Sequence, residues 1–276
     1  MIIDVNKEEF FKILNDGQLH SVCFDIETRP EPDDILKRFF KTDKLALPSH
    51  PGEFDPAAVK TNHLVDPAKI SAKILADKKK YEIAMATWEQ TCSTKLTAAW
   101  ENFVDEAPLS VLYGGVCAIG YGVTDGLTCK VWLDIDFEDE HSLLVNFWNM
   151  LSALRQHGYA DLISFGGQGF DTPFVLRRSF KYDIKKARIS NILDKDKWWP
   201  TWHKDIRLLW NFGDKYAKGT LDDIARMLGV PGKKEGMTGD QFWRVLKAGQ
   251  LDVARDYLRS DIVALYEVSR KMGLVD

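Results

Sequence analysis

The sequence predicts an α/β layer fold, and three observations carry that expectation. Short apolar runs suited to buried strands alternate with longer stretches of helical spacing. The apolar runs end in turns bearing glycine and aspartate. The last third of the chain then shows helix-start and helix-stop signals in succession.

A first strand is expected over residues 21–27, reading Ser-Val-Cys-Phe-Asp-Ile-Glu, apolar until its polar end. Residues 111–122 and 128–135 read as a second and third strand, joined by a turn at Thr124-Asp125-Gly126. Helical spacing over residues 141–157 stops at Gly158, and residues 161–165 form a fourth strand. A glycine-rich turn leads to a helix opening at Pro173, because proline suits the first helical position.

The alternation breaks between residues 29 and 108. Residues 29–66 are rich in proline, lack periodicity and read as an extended connection. Asp66 and Pro67 make an N-cap and first-turn pair. Ile70, Ile74, Tyr81, Met85, Trp88, Cys92, Leu96, Trp100 and Phe103 then recur at helical spacing. One long helix, or two in tandem, is expected to span about 50 Å at 1.5 Å per residue. Residues 29–108 thus read as an insertion, extended then helical, within one domain spanning 1–276. The exposed apolar stripe needs a cover, either the main body or a second copy, so a homo-oligomer formed through the insertion is one expectation.

Three C-terminal helices follow. Thr220 with Asp223 resembles a capping box, and Gly229 and Pro231 end that helix. Residues 238–247 form the second, closed by Gly249, and residues 251–272 the third, which carries Tyr257 and Asp261.

Composition narrows the class. The 276 residues carry 37 basic and 41 acidic side chains, a net charge of −4, unlike a protein that coats nucleic acid by bulk electrostatics. Such a count omits the charge of bound metals, so a nucleic-acid enzyme stays open. Cys23, Cys92, Cys117 and Cys129 form no CxxC pair and read as buried thiols in a reducing compartment. The N-terminal residues lack a secretory signal pattern, and no apolar run approaches the ~20 residues of a membrane span. A soluble, cytoplasmic protein with no membrane partner is expected.

Acidic residues stand beside apolar ones in three separate segments. Asp25 and Glu27 are two apart on a strand and face one side, with Phe24 and Ile26 anchoring the other. Asp171 follows a glycine-rich turn, and Tyr257 and Asp261 stack four apart on a helix. An unpaired charge is costly to bury, and a divalent cation with hard oxygen ligands removes that cost. Each segment alone has a plainer account. Asp25 and Glu27 can close an exposed strand, Asp171 can cap a helix, and Tyr257 and Asp261 can be a half-buried surface pair.

Taken together, the segments resemble the DEDD (DnaQ-like) superfamily of 3′–5′ exonucleases, which share a ribonuclease-H-like fold. Asp25 and Glu27 match its first motif, Asp171 in FGGQGFDTPF its second, and Tyr257 with Asp261 its third. The tyrosine marks the DEDDy branch, since Asp256 stands where the histidine branch would need histidine. A closer resemblance is to the exonuclease domains related to family-B DNA polymerases, over residues 110–272 plus the first strand. It rests on the second motif and on HKDIRLLWNFG…GTLDDIARMLGVPGKKEGMTGDQFW…YLRSDIVALY. Such domains carry asparagine five residues before the second-motif aspartate, to help hold the substrate strand; this chain has Gly166.

The resemblance implies two divalent metal ions, Mg2+ or Mn2+, held by Asp25, Glu27, Asp171 and Asp261. Asp25, Glu27 and Asp261 would hold one, Asp25 would bridge to the second, and Asp171 would support that one through water. Tyr257 would position the attacking water. The implied reaction is metal-dependent 3′–5′ hydrolysis of single-stranded DNA, releasing nucleoside 5′-monophosphates. The alternatives are a 3′–5′ exoribonuclease and a catalytically degenerate nucleic-acid-binding module.

Further candidates for substrate contact are Thr28, Gly167, Phe170, Arg177 and Trp199. Trp198, Trp199 and Trp202 are placed to stack bases or to pack the core. Arg177 and Arg178 suit either a phosphate or a solvated helix face. Lys78, Lys79 and Lys80 read as a solvated face. The sequence contains no recognisable polymerase region, so proofreading either needs a polymerase or repair partner, which the sequence does not identify, or does not occur.

Overall fold

The computed structural model describes residues 1–18, 20–124, 128–156, 161–187, 202–214, 216, 218–234 and 236–275. It divides into two compact units, residues 1–31 with 107–276, and residues 32–106.

The first unit is built on a mixed six-stranded sheet. Its strands are β1 (Ile2–Asp4), β2 (Val22–Pro30), β3 (Gly114–Thr124), β4 (Cys129–Ile135), β5 (Leu162–Ser164) and β6 (His203–Asp205). Their order across the sheet is β1-β4-β3-β2-β5-β6. β2, β3 and β4 form an antiparallel meander, while β5 and β6 extend it in parallel beyond β2. The expected mixed α/β sheet is therefore present, with β1 and β6 as edge strands of three residues each. β2 runs beyond Glu27 through an irregularity at Glu27/Thr28 and on to Pro30.

Alternation along β2 sorts the core into two layers. Val22, Phe24 and Ile26 face a cluster with α1 (Lys7–Leu14), α4 (Glu140–Gln156) and α5 (Asp171–Lys181). Cys23 faces the other side, with α7 (Leu221–Leu228) and α9 (Leu251–Lys271). α8 (Gly239–Lys247) joins that second layer through Phe242, packed with Tyr257 and Leu258 of α9. Asp25 and Glu27 share the parity of Cys23, so they rise under the C-terminal helices. A short helix, α6 (Ile206–Asn211), follows β6.

The second unit holds α2 (Asp33–Leu36) and one continuous helix, α3 (Pro67–Glu106), rather than two in tandem. At 40 residues it is about 60 Å long at 1.5 Å per residue. Its apolar stripe meets the extended chain that precedes it. Trp88 Nε1 donates to Pro48 O at 2.9 Å, Tyr81 Oη to Gly52 O at 2.8 Å and Lys95 Nζ to Ala46 O at 2.8 Å. His50 stacks edge-on against Trp88, and Phe40 packs on Trp100 and Phe103. Part of the cover sought for this stripe is thus supplied within the unit itself. Lys78 and Lys80 pair loosely with Glu82 and Asp77 on an exposed face.

All four cysteines are buried and unpaired. No helix among the described residues is long and apolar enough to cross a membrane.

Candidate active site

The site begins at the centre of the sheet. Asp25 pairs across to Gly120 in β3, and directly opposed residues project to the same face. A Cβ at Gly120 would meet Ile262 Cγ1 at 2.6 Å and Leu258 Cδ1 at 3.1 Å. Glycine at this position lets α9 sit down on the sheet, which lowers Asp261, the neighbour of Ile262, over Asp25. Gly120→Ala is therefore expected to cost about 1–3 kcal/mol by overpacking. It should also weaken Mn2+ binding by lifting Asp261. Melting and calorimetric titration check both, and a variant with unchanged metal affinity would disprove the link.

One ligand oxygen from each of Asp25, Glu27 and Asp261 lies within 4.8 Å of the others, in a group able to hold a metal ion. Glu27 and Asp261 are buried, while Asp25 is half-buried. Asp171 opens α5 and is buried as well. It is not that helix's N-cap: Phe170 holds that place, with no side-chain cap, so capping does not account for the aspartate. The helix also starts two residues before Pro173.

Asp205 shapes the turn before Asp171. Its carboxylate accepts from the amides of Gly166 at 2.8 Å, Gln168 at 3.1 Å and Arg207 at 3.0 Å. Gly166 has φ +74°, in the left-handed region that glycine and asparagine tolerate best. Glycine thus suits the turn at this position. At Gly167 a Cβ would come 2.3 Å from Ser164 Oγ and 2.7 Å from Asp171 Oδ2, so close packing requires glycine there. His203 lies beneath, bonded to Ser164 at 2.7 Å and Thr172 at 3.3 Å. Burial lowers its pKa to about 4, so it is neutral at physiological pH.

The electrostatics are those of a cation site. Burial, then the Asp261 charge, raises Asp25 to about 7, against the opposing pull of Lys233. Burial and the charges of Asp25 and Asp261 push Glu27 well up. Burial and Asp25 do the same to Asp171. Asp261 is raised by burial despite its ammonium partner. Its Oδ1 is buried and lacks a hydrogen bond of ordinary geometry, with the Tyr257 hydroxyl near the same carboxylate. Such an orphaned carboxylate oxygen fits a missing metal–oxygen bond. The chain's own residues therefore suit a hard divalent cation. Tyr257 is pushed up by burial and then by Asp261, so its hydroxyl stays protonated and can donate.

Lys233 lies on the loop between α7 and α8, and no spacing in the sequence marks it as a site residue. Its Nζ lies 2.7 Å from Asp261 Oδ2 and 5.7 Å from the Tyr257 ring centre. Burial disfavours its charge, but Asp261 and Asp25 outweigh that and hold it protonated. Its backbone amide is fixed by Asp222 Oδ1 at 3.0 Å. A cavity of about 390 Å³ opens beside the cluster. Asp25, Asp261, Lys233, Arg207 and Lys218 line it, together with Phe165, Leu221 and Leu265.

The remaining candidates fall in different places. Thr28 is buried in β2 just after the irregularity. Phe170 is half-buried against the core and Phe174. Arg177 is exposed on α5. Arg178 is buried in an ion-pair network with Glu140 and Glu31, so it is not part of a solvated face. Trp198 and Trp199 lie outside the described residues. Trp202 packs against the core, with the Arg155 guanidinium over its ring at 5.4 Å.

A mixed α/β sheet with carboxylates clustered over a central strand is the arrangement of a ribonuclease-H-like fold. Within that fold class, residues 112–276 match the family described as a predicted 3′–5′ exonuclease related to the exonuclease domain of PolB, and the chain belongs to it. No curated protein gives a significant match. The matched residues contain Asp171, Tyr257 and Asp261 but begin after Asp25 and Glu27. Folding brings the outlying pair to the cluster.

Proposed function

We propose that the protein is a metal-dependent 3′–5′ exonuclease acting on single-stranded DNA ends. The observation that carries this reading is the convergence of Asp25, Glu27 and Asp261 within 4.8 Å, with one buried oxygen left unsatisfied. These three carboxylates would hold one divalent ion, Mg2+ or Mn2+, and Asp25 with Asp171 a second. Bound there, such ions lower the pKa of a water and stabilise charge on the leaving oxygen.

The chain's own groups handle the rest. The protonated Tyr257 hydroxyl donates to the attacking water or to a phosphate oxygen, which orients the attack. The water oxygen forms a bond to the terminal phosphodiester phosphorus, the P–O3′ bond breaks, and the shortened strand keeps a 3′-hydroxyl after taking up a proton. The other product is a nucleoside 5′-monophosphate. Lys233, Arg207 and Lys218 supply positive charge along the cavity, which supports occupation by a nucleotide phosphate.

The test uses 5′-labelled and 3′-labelled single- and double-stranded DNA and RNA with Mg2+ or Mn2+. Single-stranded 5′-labelled DNA is expected to give a descending ladder, and 3′-labelled DNA to release labelled mononucleotide at once. Cleavage confined to RNA would reassign the sugar preference. No cleavage of any substrate with either metal would end the enzymatic reading.

A further inference from the structure

α8 opens with a glycine that its backbone does not require. Gly239 is the first residue of the helix, and its φ lies outside the left-handed region where glycine is favoured. The cost of glycine relative to alanine, about 1 kcal/mol, belongs to helix interiors, and at this first position the backbone makes no demand for glycine. The helix is well fixed without help from this position. The Thr238 amide donates to Gln241 Oε1 at 3.2 Å, and Phe242 and Trp243 are buried. The preceding loop is tied down where the Lys234 amide donates to Ser260 Oγ at 3.1 Å.

What a side chain at 239 would meet explains its absence. A Cβ there has two neighbours within 4 Å: Tyr257 Oη at 3.6 Å and Glu27 Oε2 at 3.8 Å. Both are ordinary contacts, so the folded protein has room for a methyl group. Gly239 is exposed, so this room lies at the surface above the buried Tyr257 and Glu27. It lies between a hydrogen-bond donor and a carboxylate of the cluster, where a reacting phosphate and its attacking water need space.

We propose that Gly239 is the access-determining residue of this site, left without a side chain so that the terminal phosphodiester can enter between Tyr257 and Glu27. The proposal rests on the exonuclease reading above. It makes activity and stability diverge, which a purely structural glycine would not do.

The experiment compares wild type, Gly239→Ala and Gly239→Val. Three quantities are measured: the melting temperature, Mn2+ affinity by calorimetry without nucleic acid, and mononucleotide release from single-stranded DNA. Gly239→Ala is expected to melt at or above the wild-type temperature and bind Mn2+ within about twofold of wild type, because its methyl fits the free protein. Its release rate should fall about tenfold, and that of Gly239→Val about a hundredfold, as the reacting group is displaced by about an ångström. Variants as active as an active wild type would overturn the access role while leaving the exonuclease reading intact. Activity lost only in step with stability or Mn2+ affinity would also overturn it. A wild type inactive on every substrate would overturn both.

Discussion

Asp25→Asn is expected to reduce hydrolysis by on the order of 10³-fold or more, while making the metal-free protein more stable at neutral and alkaline pH. Asparagine keeps the shape of the side chain but removes the charge that Asp25 offers from β2. The several kcal/mol of charge stabilisation that a bound cation supplies would be largely lost, and each 1.36 kcal/mol is a factor of ten in rate. Stability moves the other way. Asp25 has an ordinary pKa of 3.8 and is raised to about 7 in the folded chain, by burial and then by Asp261. Between those values the folded state keeps a proton that the unfolded state has released, so wild-type stability falls as pH rises. The contribution is fully present below about 3.8 and gone above about 7. Melting curves of wild type and Asp25→Asn should therefore meet near pH 4 and part above pH 7, with the variant higher. Mn2+ at pH 8 should raise the wild-type melting temperature and barely move the variant's. Equal metal shifts in the two proteins would remove Asp25 from the site.

Arg178→Ala is expected to cost about 3–5 kcal/mol of folding stability, the usual result of removing one partner from a buried ion pair. The guanidinium donates through Nε to Glu140 Oε1 at 2.7 Å and through one terminal nitrogen to Glu31 Oε1 at 2.6 Å. Its other terminal nitrogen reaches the carbonyl of Val111 at 3.2 Å. Glu140 in turn accepts from the Val116 amide at 2.8 Å and from the Tyr182 hydroxyl at 2.9 Å. Burial alone would raise Glu31, but Lys181 and Arg178 more than offset it, so its carboxyl sits below the ordinary range. Truncating Arg178 leaves two buried acids facing each other with one exposed-side lysine between them. Urea unfolding should show the loss as a lower midpoint, with KM for single-stranded DNA near that of wild type in the fraction that stays folded. A normal midpoint with a raised KM would instead make Arg178 a phosphate contact.

These two residues mark the boundary of what was legible in the sequence. Asp25, Glu27, Tyr257 and Asp261 could be read because each pair obeys a local rule, period two on a strand or one turn on a helix. Asp171 was legible from its glycine-rich turn. Arg178 was not, because its partners Glu31 and Glu140 come from remote segments and no spacing announces them. Lys233 carries no local signal for the same reason: only α9, by placing Asp261 beside it, distinguishes it from Lys234 in the Gly-Lys-Lys loop. Gly120 looks like a weak point in a strand, and only the docking of Ile262 gives it a purpose. β1 and β6 are three-residue edge strands with polar residues in or beside them, and unlike the all-buried β5 they present no buried apolar run. The insertion was readable as a helix, but the covering of its stripe by residues 40–54 depends on hydrogen bonds that carry no sequence pattern.

The close of β2 bears on how this chain can change over generations. Pro30 pairs with Gly114, and the Glu31 amide donates to Tyr113 O at 2.7 Å, so the chain leaves and re-enters the sheet at adjacent points. A short hairpin could join those points without moving a strand, and lengthening a loop adds only about 0.6 kcal/mol per doubling. Residues 32–106 can therefore change in length at small entropic cost, while Asp25 and Glu27 keep their register against β3.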